Sequence, residues 1–482
     1  MFGVGRGGYA EFDEEKCVPD FTVQQLGPRK VPSTYQAHCY VPDVARTMFD
    51  TTVRSCEEAA ARCVPEHFSG FELAGARSHL YFDPTRSPCG IVTCGGLCPG
   101  LNNVIRAIVM QLHHSYGVPR IYGFRYGFAG LIPASPYEPM VLDPATISSI
   151  HHYGGSILSS SRGPQPIGAM VDTLERLNIR ALFCVGGDGT FRGTMGICDE
   201  IAKRGLSIGV VAVPKTIDND IPFTSRTFGF ETAYSIAASA IGGAHVEAEG
   251  ALNGIGLVKL MGRHAGFIAA HAALACRDAN FVLIPEVPFD LDGPNGLLIH
   301  IEKRLHARRH AVIVVAEGVG EHLSDEAEGG QREKDASGNV RMVDIGPYLK
   351  QRIERHFKAR GLPISLKYID PSYLIRSAPA NPNDSLFAGI LGQMAAHAAV
   401  AGKTAMFVGY WNNQFTHVPL SAAVSNSKRI DPNSNFWQSV LECTGQPTSM
   451  TNDGRDALSG VCTLFPDSTT QIPIAHSRAD TV

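Results

Sequence analysis

Ala181-Leu182-Phe183-Cys184-Val185-Gly186-Gly187-Asp188-Gly189-Thr190 is the stretch that decides the fold class. A short apolar run breaks into a loop of glycines carrying one carboxylate. Further along, Ile208-Gly209-Val210-Val211-Ala212-Val213 runs in the same way into Pro214-Lys215-Thr216-Ile217-Asp218-Asn219-Asp220. Short apolar runs bounded by turn residues have the pattern of buried strands. Both loops therefore leave the carboxyl ends of strands, where open α/β sheets bind their ligands. The first loop offers backbone N–H groups, little bulk and one carboxylate, as a polyphosphate with its magnesium requires. The second offers two carboxylates, a hydroxyl and an ammonium, enough for a proton acceptor and a charge stabiliser. The pair points to phosphoryl transfer to an alcohol.

On either side the same rhythm continues. Ile91-Val92-Thr93-Cys94 has the pattern of a buried strand, and Leu101, Val104, Ile105, Ile108, Val109 and Leu112 line one face of a following helix. Residues 121–124 suggest another strand and 170–177 another amphipathic helix, with further strands at 255–260, 281–284 and 311–316. Alternation of this kind predicts parallel sheets covered by helices on both faces. Residues 1–79 have weak periodicity and suggest an arm or small cap, whereas 320–343 combine charge with glycine in the manner of a solvated loop.

Composition narrows the function classes. In 482 residues, hydrophobic side chains make up 44% and charged ones 18%, the proportions of an ordinary globular protein. A net charge of −4 and the lack of basic runs interleaved with aromatics argue against nucleic acid or an anionic membrane as partner. No apolar run reaches the roughly 18 residues that span a bilayer, and the first residues lack a targeting pattern, so the expected location is cytoplasmic. Cys94, Cys98, Cys184 and Cys198 fall in or beside core elements and suit reduced structural thiols; redox control through Cys17, Cys39, Cys56 or Cys63 stays open. Gly3-Val4-Gly5-Arg6-Gly7-Gly8 mimics a dinucleotide fingerprint but has no strand before it. His113-His114 and His151-His152 have no partner at ligand spacing, which makes a transition-metal site unexpected.

Gly186-Gly187-Asp188-Gly189-Thr190, Pro214-Lys215-Thr216-Ile217-Asp218-Asn219-Asp220 and Met261-Gly262-Arg263, in that order, resemble 6-phosphofructokinases. The similarity is greatest to the ATP-using branch of plants, algae and kinetoplastids, which keeps a lysine before Thr-Ile-Asp, and it spans about 80–420. The resemblance implies two Rossmann-like lobes of parallel sheet sharing the chain discontinuously, with an N-terminal arm. A phosphate-donor lobe would cover 80–228 and be completed by 376–420. A sugar-phosphate lobe would cover 229–375, and a C-terminal extension 421–482 would pack on both. A homotetramer is also implied.

Residue by residue, the resemblance implies ATP contacts at Gly96, Arg162, Gly163, Gly187, Asp188, Gly189 and Thr190, with Asp188 at Mg2+. Glycines allow close backbone approach to phosphate, and a guanidinium fork binds two of its oxygens. Asp218 would accept the proton of the sugar 1-hydroxyl. Lys215, Thr216, Asp220 and Gly189 would complete the catalytic set. Fructose 6-phosphate would be held by Thr216, Ile217, Asp218, Met261, Gly262, Arg263, Glu317, Lys367, Tyr373, Leu374, Ile375 and Arg376. Where bacterial members bring a second arginine across a subunit boundary, this chain has Gly254.

Donor choice rests on two residues. Pyrophosphate users resembling this chain place an aspartate where Gly189 stands, and its bulk and charge oppose the α-phosphate of ATP. Lys215 is typical of pyrophosphate users, and the combination of glycine with lysine implies ATP. The competing readings are a pyrophosphate-dependent enzyme, one of the NAD or lipid kinases that share Gly-Gly-Asp-Gly-Thr, and a non-catalytic subunit that binds sugar phosphate.

Overall fold

The computed structural model describes residues 20–51, 70–320, 343–424 and 427–452. The loop expected at 320–343, the N-terminal glycines and Cys17, Cys56 and Cys63 lie wholly or almost wholly outside these. Two sheets carry the architecture. Their strands, in chain order, are β1 (Arg46–Met48), β2 (Gly70–Leu73), β3 (Cys89–Thr93), β4 (Ile121–Phe124), β5 (Met140–Val141), β6 (Ala181–Gly186) and β7 (Gly209–Pro214). The remainder are β8 (Gly254–Leu260), β9 (Phe281–Leu283), β10 (His310–Ala316), β11 (Ser365–Ile369), β12 (Met406–Trp411) and β13 (Gln414–Pro419).

The larger sheet has nine strands in the order β1-β2-β13-β12-β7-β6-β3-β4-β5. Its centre, β12-β7-β6-β3-β4, is parallel, and its flanks are antiparallel. The smaller sheet, β9-β10-β8-β11, is parallel throughout. Every residue of β6 and β7 is buried, as expected of strands covered by helices on both faces. This is the α/β class of the sequence reading.

The helices are placed by their apolar faces. Helix Leu101–Met110 buries Leu101, Val104, Ile105, Ile108 and Val109 against helix Pro382–Val400. A Cβ at Gly392 would stand 2.9 Å from the Val104 carbonyl oxygen, so glycine permits this close crossing. Helix Phe230–Glu249 lies over β8 and β10 and belongs to the core that also includes the inner face of the larger sheet. One continuous core therefore joins the two sheets.

Weak periodicity in the first eighty residues hides short strands that extend the larger sheet. β1 and β2 form its edge, and Glu72 on β2 is buried against Arg77 (2.9 Å), Lys403 (2.7 Å) and His417 (3.0 Å). Buried charges persist only when paired, so this cluster fixes the segment to β13. At the other end of the chain, helix Asn435–Thr444 packs on helix Phe267–Cys276 and β9.

Candidate active site

The donor loops are built mainly from backbone. Gly95 N–H donates to Ser161 O (3.1 Å), and Ser160 Oγ donates to Gly95 O (2.6 Å). The loop after β3 is thereby joined to the Ser159–Gly163 turn. A Cβ at Gly96 would lie 3.3 Å from the Arg162 guanidinium, and Gly163 has φ +98°, a conformation few other residues accept. Helix Asp188–Lys203 starts directly after β6, with Gly187 at its N-cap. Its first N–H groups have no partner within the helix and favour an anion there. Gly186 leaves room for the Thr190 side chain, which is buried, whereas a Cβ at Gly189 would meet nothing within 4 Å. The fold does not require a glycine at 189.

Lys215 joins the donor and acceptor sides. Its N–H donates to Gly186 O (2.9 Å), and its ammonium donates to Gly96 O (3.0 Å). Burial lowers its proton affinity, and Cys98, Cys94 and Asp218 work against that shift. Thr216 Oγ1 donates to Asp220 Oδ1 (2.8 Å), and Thr227 Oγ1 donates to Thr216 O (2.6 Å). Asn219 sits at φ 56° and accepts from Thr227 N–H (3.1 Å), so the loop turns sharply and turns Asp218 inward. Asp218 Oδ1 is buried and has no hydrogen-bond partner, although the Arg263 backbone N–H reaches the carboxyl group. Burial raises its pKa well above the ordinary carboxylate range, and Asp220 and Glu317 add to the rise. Asp188, paired with Arg192 at 2.7 Å, is also raised by burial, with Asp220 adding to that rise.

On the acceptor side, β8 ends at Leu260 and β10 at Ala316, which delivers Met261-Gly262-Arg263 beside Glu317. Gly318 N–H donates to Gly262 O (3.0 Å), joining the two loops, and Arg376 Nε contacts Met261 Sδ at 3.1 Å. Arg376 also acts electrostatically on Asp218. The structure thus brings together Asp218, Asp220, Glu317, Arg263, Arg376 and Lys215.

Other expected residues lie differently. Ile375 and Met261 are fully buried, and Ile217 nearly so. A substrate contact from Ile375 would have to use its backbone. Tyr373 and Leu374 project from the short helix Ser372–Ser377, 83% and 70% exposed. Lys367 is exposed on the edge strand β11, where it pairs with Gly256, well before the strand end that carries Met261. Gly254 is buried, and a Cβ there would overlap the Ala248 carbonyl, so no arginine fits at this position.

Lys428 is a residue that sequence reasoning missed. Its N–H donates to Asp220 O (2.8 Å), and its buried ammonium donates to Thr224 O (3.0 Å) and Ser225 O (3.1 Å). Burial lowers its pKa to about 7, with Asp220 holding it up. It braces the Asp218 loop from a segment more than 200 residues away, and no motif marks it.

The comparisons with known proteins agree with one another. The family pattern described as Phosphofructokinase matches residues 88–399. The chain is 51% identical to the ATP-dependent 6-phosphofructokinase of Borreliella burgdorferi over 387 residues, which covers 79% of this chain and 86% of that protein. It is 46% identical to the ATP-dependent 6-phosphofructokinase of Trypanosoma brucei brucei, covering 77% and 76% of the two chains. Among solved structures, a pyrophosphate-dependent phosphofructokinase from Marinobacter aquaeolei matches with TM-score 0.60 and 22% identity, over 77% of this chain and 91% of that one, a likeness of fold. The chain belongs to the phosphofructokinase family.

Proposed function

We infer that this chain transfers the terminal phosphoryl group of ATP to the 1-hydroxyl of fructose 6-phosphate, releasing fructose 1,6-bisphosphate and ADP. The observation that carries the reading is the Asp218 carboxyl group, buried with one oxygen unpartnered between the glycine loops and the Met261–Arg263 loop. Polar groups left unpaired in a protein interior ordinarily have a purpose.

In this reading the hydroxyl attacks in line, and Asp218 receives its proton. Burial, with Asp220 and Glu317 adding to it, raises the proton affinity of Asp218 and so makes it a better acceptor. Lys215 offsets charge gathering on the phosphoryl oxygens from its place between the two loops. Arg162, Gly163 and the helix start at Gly187–Thr190 bind the nucleotide phosphates. Arg263 and Arg376 take the sugar phosphate, and Glu317 binds a sugar hydroxyl. Asp188, with Asp220 close enough to raise its pKa, suits a cation at this point, and we assign Mg2+ to it. Bound there, Mg2+ would neutralise charge on the β- and γ-phosphates.

In this reading the lobes follow the sheets, with the glycine loops and the Asp218 loop on the nine-stranded sheet and the Met261–Arg263 and Glu317 loops on the four-stranded one. Exposed Tyr373, Leu374 and Lys367 suit completion of the sugar site by a second copy of the chain, in keeping with a homotetramer. No helix among the described residues is long and apolar enough to cross a membrane.

The test is fructose 1,6-bisphosphate formation from fructose 6-phosphate and magnesium, with ATP and pyrophosphate supplied in parallel. Product with ATP alone is expected. Product with pyrophosphate alone would overturn the role of Gly189, and no product with either donor would favour a non-catalytic subunit.

A further inference from the structure

We propose that His245, Glu249 and His310 form a binding site for a divalent transition-metal ion of the zinc class, at the end of the smaller sheet opposite the phosphoryl-transfer loops. One ligand atom from each residue lies within 4.8 Å of the others. His245 and Glu249 are four residues apart in the last turns of helix Phe230–Glu249, which puts them on one face. His310 is the first residue of β10 and is paired with Gly254 on β8. Because Gly254 has no Cβ, the Ala248 carbonyl lies directly against this strand start. That close approach sets His310 beside the helix end.

The geometry suits an ion. Glu249 Oε1 lies 3.5 Å from His245 Nε2 and 4.0 Å from His310 Nε2, so one carboxylate oxygen faces both imidazoles. The rings are 5.3 Å apart and nearly perpendicular. His310 Nδ1 faces the Arg308 carbonyl at 3.1 Å, which makes Nδ1 the donor and leaves the Nε2 lone pair directed at Glu249. His245 Nδ1 is buried with no partner, so the polar contacts of that ring are made through Nε2. A tetrahedral ion with bonds of about 2.0–2.1 Å holds its ligand atoms roughly 3.3 Å apart. The ligand atoms, within 4.8 Å of one another, would draw in around the ion by rotation of the two imidazoles and movement of Glu249, whose side chain is 55% exposed, leaving a fourth position for water.

Charge and ligand type agree. The carboxyl ends of helices Phe230–Glu249 and Leu297–Arg308 both lie beside the cluster, and helix carboxyl ends favour cations. Two imidazoles with one carboxylate select zinc, cobalt or nickel over magnesium or calcium. Arg308 and Arg309 flank the site but are exposed. An ion here would clamp the helix end to β10, whose other end carries Glu317.

The experiment uses untagged, metal-stripped protein titrated with Co2+, read by its visible absorption, by competition with Zn2+ and Mg2+, and by thermal unfolding. One four-coordinate Co2+ per chain is expected, displaced by Zn2+ and unaffected by Mg2+, with a rise in Tm. Glu249→Gln, at a half-exposed position that the fold tolerates, should weaken binding at least about tenfold. His245→Gln should lower it further while turnover of fructose 6-phosphate persists. Absence of stoichiometric binding overturns the proposal. So does binding equally tight in both variants, which would put the ion on cysteines or other histidines.

Discussion

The two sides of the cleft are held in opposite ways. On the donor side, loops satisfy one another through backbone groups: Gly95 with Ser161, Ser160 with Gly95, Lys215 with Gly186. Glycine supplies the space, and the helix start supplies the attraction for an anion. On the acceptor side, carboxylates of Asp218, Asp220 and Glu317 crowd together, and Asp218 Oδ1 is left unpartnered. The first arrangement leaves its backbone groups paired, whereas the second buries an unpaired carboxyl oxygen at a free-energy cost, which substrate would relieve in the proposed function.

The largest effect expected from breaking this contrast is at Asp218. Asp218→Asn should lower kcat by about 10²–10⁴-fold, measured by product formation. The same change should stabilise the ligand-free protein. The folded pKa of Asp218 lies above its unfolded value near 3.9, so the folded state binds the proton more tightly. Wild-type stability therefore falls as pH rises from the unfolded pKa to the folded one, and Asn removes that loss. Urea unfolding should show a gain of about 1 kcal/mol or more that grows with pH. Unchanged turnover, or a stability loss, would remove Asp218 from its role.

Gly189→Asp should come next, lowering kcat/KM for ATP by about a hundredfold, some 2.7 kcal/mol of transition-state binding. Stability should hold, because a Cβ there meets nothing within 4 Å. An unaltered preference between ATP and pyrophosphate would refute the steric account. The pH profile of kcat/KM tests the same contrast more gently. Its acid limb should lie above the ordinary carboxylate range, with rate rising as Asp218 loses its proton. A flat profile from pH 5 to 8 would contradict the raised carboxyl group. Smallest is Lys428→Met, which should lower kcat severalfold with KM for fructose 6-phosphate little changed, by loosening the loop it braces. A change confined to KM would instead place Lys428 in substrate binding.

Much of the fold was legible because strands and helices declare themselves over a few adjacent residues. The apolar run at 181–185 and the next at 208–213 are strands within a residue of their expected ends, since continuous burial demands continuous apolar sequence. The helix starting at Leu101 follows from its apolar spacing. The short strands Arg46–Met48 and Gly70–Leu73 escaped notice, being too brief for period-two alternation to show and held in part by the buried Glu72 cluster. His245 and Glu249 did carry a local signal, the four-residue helical spacing. It meant nothing without His310, which lies 65 residues beyond His245.

Sequence alone therefore determined the alternation of strand and helix, the glycine loop that suits polyphosphate and the carboxylate loop that suits an alcohol, because each is chemistry written in contiguous residues. Only the tertiary structure decided which of those groups are buried, paired or left open. The raised pKa of Asp218, the Lys428 brace and the exclusion of any side chain at Gly254 depend on neighbours from distant segments. Desolvation and close packing act through space, and no local pattern records them.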